Sequence, residues 1–116
     1  MLDEAYAGAY ESVANPFGVT SHAGPNEVVL IFTGEADVSA APLLAHALSR
    51  ASRYRHARVA VDLADLDFID TYCLGIIFDA RDELRARDAD LVLRSPRPSV
   101  RRLLDILQRE DLIEPT

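Results

Sequence analysis

The sequence predicts a single α/β domain, a four-stranded mixed sheet with amphipathic helices in the order β-β-α-β-α-β-α. Three observations carry this. Short aliphatic or β-branched runs, "EVVLIFTG", "RVAVDL" and "DLVLR", alternate with stretches whose apolar residues recur at i, i+3, i+4 and i+7. Turn-forming glycines and prolines separate them. The 116 residues suit one hydrophobic core, since single cores commonly span about 100–150 residues.

Residues 1–15 are small and acidic, lack a persistent apolar period and end at Asn15-Pro16, so they are expected to form a flexible arm ahead of a domain at 16–116. "FGVTSH" and "EVVLIFTG" flank Gly24-Pro25 and read as a hairpin. Ser39 is expected to cap the first helix, whose first turn tolerates Pro42 because the missing amide has no intrahelical acceptor. Leu44, Ala47, Leu48 and Ala51 form its buried stripe.

"RVAVDL" suits a strand buried on both faces. A second helix begins soon after Asp70, with Leu74, Ile77 and Leu84 on its core side. "DLVLR" is the fourth strand, and Val100, Leu103, Leu104 and Leu107 give the last helix its buried stripe. Val28, Leu30, Val59, Val61, Ile77 and Leu104 are expected inside, and strand–helix alternation implies a partly parallel sheet.

Composition excludes several functions. A net charge of −7 disfavours a nucleic-acid partner, because phosphate contacts need excess cation. All twelve basic residues are arginine, and none precedes Arg50, whereas six acids do. The longest aliphatic or aromatic run, "VVLIF", is far below the ~20 residues of a membrane span, and the N-terminus lacks a signal-peptide pattern. No membrane association is expected, and the location is expected to be cytoplasmic. Cys73 is the only cysteine, which rules out an intramolecular disulfide and a multi-cysteine metal site.

Catalysis is not expected. His22, His46 and His56 sit in no recognisable motif with a serine or cysteine, no glycine-rich phosphate loop precedes a helix, and Asp62, Asp65, Asp67 and Asp70 lack metal-loop spacing. No cofactor or metal is expected. What stands out is "DFIDTYCLGII" at residues 67–77, where an aspartate, two hydroxyls and a thiol meet a helix start. Asp70 has the position of a helix cap. Cys73 reads either as a small packing residue or as a thiol activated at a helix N-terminus, and packing is the commoner case.

Three separated motifs, "FTGEAD", "VAVDLADLDFIDTYCLG" and "SVRRLLDILQREDLIE", resemble anti-sigma-factor antagonists of the STAS class. The resemblance covers residues 17–114 and implies a STAS-like domain. Gly34, Glu35 and Asp37 match the family's "G-E-L-D" turn, with Ala36 at the leucine position. Asp70 and Thr71 match the first half of "D-S-S-G". Tyr72 stands where such relatives carry the hydroxyl phosphorylated by a Ser/Thr kinase, and Cys73 stands at the glycine.

The resemblance implies a bacterial partner-switching module that binds an anti-sigma factor or related Ser/Thr kinase and thereby regulates transcription, acting as a monomer or weak homodimer. The alternative is a non-phosphorylated scaffold domain in a larger sensory or signalling assembly. A tyrosine places its oxygen several Å beyond a serine's, so the remaining phosphorylation candidate is Thr71. The expected partner-binding residues are Asp37, Asp70, Thr71, Tyr72, Ile76 and Asp79. Within them Tyr72, Ile76 and Asp79, followed by Glu83, share the helix side opposite Leu74, Ile77 and Leu84.

Overall fold

The expected hairpin is present: β1 (Phe17–Ala23) runs antiparallel to β2 (Glu27–Ala36), closed by Gly24 N–H donating to the Glu27 carbonyl at 2.8 Å. The structure, a computed structural model, describes residues 16–54 and 58–115. The arm expected at 1–15 and His56 lie outside the described residues.

From β2 onward the strands are parallel. β2 pairs with β3 (Arg58–Ile69), and β3 with β4 (Asp90–Arg94), giving one sheet in the order β1-β2-β3-β4. The crossovers carry α1 (Ala41–Ala51) and α2 (Thr71–Arg85), and α3 (Pro98–Ile106) follows β4. α1 packs on β1, β2 and α2, while α3 packs on β3. The domain is thus an α/β fold with a mixed four-stranded sheet in the expected element order.

Alternation explains the core. Val28, Leu30 and Phe32 point from β2 to one side and meet Val59, Val61, Leu74, Ile77 and Leu104 in a single cluster. The six residues expected inside are all at most 1% exposed. Each buried leucine contributes roughly 2 kcal/mol through apolar area removed from water.

Four details differ from the sequence reading. Ser39 does not cap α1: a 3-10 turn at Val38–Ala40 comes first, and Asp37 caps that turn. β3 runs six residues past Leu63 to Ile69, because irregularities against Ile31–Thr33 and Gly34–Glu35 reset its register. Leu107 lies beyond the end of α3 and is 37% exposed, so its expected burial fails where the helical period stops. Arg81, one turn beyond Ile77, enters the core stripe of α2.

Arg81 is buried because its charge is matched. Its Nε donates to Asp90 Oδ1 at 3.2 Å and its Nη1 to Asp111 Oδ2 at 2.7 Å. Burial alone pulls its pKa down, but Asp111 and Asp90 outweigh this and leave it above the ordinary arginine value. The pair draws a C-terminal strap over the domain. Leu112 is fully buried, Ile113 bridges to Leu93, and Glu114 accepts from Arg94 at 2.7 and 3.0 Å. Arg109 stacks 4.4 Å from the Phe78 ring centroid.

Candidate functional site

The parallel strands β2 and β3 end side by side, and that fixes the junction. Glu35 registers with Phe68 and Ala36 with Ile69, and Asp70 N–H donates to the Ala36 carbonyl at 3.0 Å. Both strands then turn straight into helix starts. Asp37 Oδ1 accepts from Ser39 N–H at 3.0 Å and from Ser39 Oγ at 2.6 Å. Asp70 Oδ1 accepts from Cys73 N–H at 2.8 Å, satisfying a first-turn amide of α2.

Cys73 links the two turns. Its side chain is fully buried, and Sγ donates to the Asp37 carbonyl at 3.2 Å. Burial, and then the hydrogen bond and charge of Asp70, push the thiol from its ordinary 9.0 up to about 12. The helix N-terminus does not activate it. The packing reading of Cys73 therefore fits and the redox reading does not.

That pKa has a measurable consequence. A folded-state pKa raised above the unfolded one leaves stability intact below about pH 9 and erodes it, by up to about 1.4 kcal/mol per pH unit, as pH rises towards 12. Cys73→Ala is expected to cost about 1 kcal/mol near neutrality, yet to lose less stability than the parent between about pH 8 and pH 10. Urea titrations at the two pH values check this. Parallel losses in both proteins would refute it.

The structure places Asp37, Asp70, Thr71 and Tyr72 together, with Asp79 two turns along α2. Thr71 and Tyr72 are exposed, Tyr72 at 60%. The Thr71 hydroxyl has no hydrogen-bond partner among the described residues, since Asp70 does the capping. Ile76 differs from expectation. It is half-buried and packs against the core, so the exposed pair read as Tyr72 and Ile76 is an exposed Tyr72 alone.

Two apolar neighbours were missed. Val38 is 63% exposed and Phe68 is 47% exposed, one in each turn of the junction. Phe68 carried a signal in the sequence: Ile69 must face inward for α2 to follow, so strand alternation turns Phe68 out. Val38 carried none. With Asp37, Asp65, Asp70 and Asp79 nearby in the chain or across the register, the junction is an apolar patch with acidic surroundings. Among the described residues, no group of three or more His, Cys, Asp or Glu could hold a metal, and no helix is long and apolar enough to cross a membrane.

A mixed sheet whose parallel strands deliver two capped turns to one exposed junction is the architecture of a STAS domain. The chain belongs to that family, whose model matches residues 19–116. Solved structures share the fold. The anti-sigma factor antagonist SpoIIAA in its unphosphorylated form, a Bacillus cell fate determinant, is 21% identical with a TM-score of 0.71, covering 84% of this chain and 85% of its own. An anti-sigma factor antagonist from Mycobacterium paratuberculosis is 18% identical with a TM-score of 0.72, covering 86% of each chain. A putative one from Thermotoga maritima is 18% identical with a TM-score of 0.71, covering 83% of each. No curated protein matches the chain in sequence.

Proposed function

We infer that this STAS domain is a regulatory binding module of the anti-sigma-factor-antagonist type. It docks on an anti-sigma factor or related Ser/Thr kinase in the bacterial cytoplasm, frees a sigma factor and so regulates transcription, with no catalysis of its own. The docking face is the junction: Asp37, Asp70, Thr71, Tyr72, the exposed edge of Ile76 and Asp79, joined by Val38 and Phe68. One observation carries the reading. Both helix starts are locked by their own aspartates and by Cys73, which leaves Tyr72, Val38 and Phe68 displayed on a rigid frame. Preorganised exposed aromatics are characteristic anchors of protein interfaces.

The test uses the histidine-kinase-like anti-sigma factor of the same genome, purified, with calorimetry for binding and phosphopeptide mapping after addition of ATP. Binding at a 1:1 ratio supports the reading, and no binding to any such protein of that genome overturns it. Phosphate is expected on Thr71 and is expected to be abolished in Thr71→Val. A phosphate there adds about −2 of charge beside Asp70 and weakens docking by repulsion. Phosphate on Tyr72 instead would contradict the assignment. Tyr72 at the acceptor position favours a second reading, the scaffold domain without a phosphate switch, and binding with no phosphate transfer would select it.

A further inference from the structure

We propose that this protein associates with itself head to tail, the end of α3 in one copy seating on the Asp37/Asp70 junction of the next. The exposed large apolar side chains fall into two groups. Val38, Phe68 and Tyr72 stand at the junction, Ile106 (69% exposed) and Leu107 at the end of α3, and Tyr54 lies apart. Neither group is covered by the described residues.

Unpaired charge around the two groups has opposite sign. Beside the junction, Glu35, Asp65 and Asp79 are exposed and make no ion pair among the described residues. On α3, Arg101 and Arg102 are exposed and likewise unpaired, whereas Arg58, Arg81, Arg85, Arg94, Arg97 and Arg109 each hold an acid. Arg102 and Ile106 are four residues apart on a helix, so cation and apolar side chain share one face. The junction offers the reverse, apolar groups framed by carboxylates. Each patch is therefore complementary to the other and not to itself.

Complementarity between two different patches defines a heterologous contact, which propagates instead of closing into a twofold dimer. A net charge of −7 opposes long-range approach, so the contact is weak, of the transient class that buries under about 1,200 Å². It covers the face assigned to partner docking. Self-association and partner binding then exclude one another, and the assembled form is a reserve from which a partner draws single copies. The contact itself does not depend on who that partner is.

Sedimentation velocity on the full chain tests this with two variants at exposed positions. Phe68→Glu disables the junction, and Arg102→Glu with Ile106→Glu disables the end of α3. Wild type is expected to grow beyond a dimer with concentration, and each variant alone to remain monomeric. Their equimolar mixture should form 1:1 dimers that grow no further, because each variant keeps one intact patch. Tyr72→Glu serves as a second junction variant should Phe68→Glu fail to melt like wild type. A wild-type protein that stays monomeric to about 1 mM, a mixture that stays monomeric, or a variant that still assembles alone would each overturn the proposal.

Discussion

Gly34→Ala is expected to lower stability by about 2–4 kcal/mol, a large cost for adding one methyl group. Gly34 sits at φ +86°, where an L side chain is strained, and a Cβ there would lie 1.9 Å from the Pro16 carbonyl oxygen. That oxygen cannot retreat freely. It accepts from Glu35 N–H at 3.0 Å, and the adjoining Phe17 is buried edge-on against Phe32, with ring centroids 5.3 Å apart. The clash therefore spreads to the β1–β2 edge and to the turn that carries Asp37. Urea unfolding should show a lower midpoint at unchanged slope. Gly75→Ala is the control: its Cβ meets nothing within 4 Å inside α2, so it should stabilise by up to about 1 kcal/mol. Equal stability of Gly34→Ala and its parent would mean that the Pro16 edge yields and that the glycine is dispensable.

The same residue shows what the sequence could and could not reveal. Resemblance marked Gly34 as part of a motif, but its physical reason, a close approach from Pro16 eighteen positions earlier, is a tertiary fact. Strands β1, β2 and β4 and the helices were legible because their apolar periods are clean. The far half of β3 was not, since Leu63, Leu66 and Ile69 recur every third residue across the register shifts and match no strand alternation. Arg81 looked like a surface residue because the acids that permit its burial, Asp90 and Asp111, lie on later elements. The strap ending at Glu114 has no period at all; ion pairs to Arg94 and Arg58 and one buried leucine hold it.

At the junction, Asp70 was legible as a cap, whereas Ile76 was misjudged by about one helical increment. Helical spacing places a residue on a flank, and whether a flank is wet depends on what packs beside it. Here the core reaches Ile76, while Val38 and Phe68 extend the exposed surface around Tyr72 in its place.

That redistribution gives the second large effect. Tyr72→Ala and Phe68→Ala are each expected to weaken binding of the anti-sigma factor at least tenfold, about 1.4 kcal/mol, since interface aromatics commonly contribute about 2 kcal/mol or more. Thermal stability should stay close to the parent's, because both side chains are about half or more exposed and little core contact is lost. Ile76→Arg should behave in the opposite way. Forcing a guanidinium against the core that Ile76 touches should cost roughly 1–3 kcal/mol of stability. Its folded fraction should bind less weakly changed than Tyr72→Ala. Calorimetric titrations beside thermal melts separate the two kinds of residue. If Tyr72→Ala and Phe68→Ala bind within twofold of the parent, the anchors lie elsewhere; if Ile76→Arg keeps the parent's melting temperature yet loses binding, Ile76 is the anchor after all. Either outcome would move the docking face along α2, because Asp70 and Cys73 hold the start of that helix in place whichever side chains a partner grips.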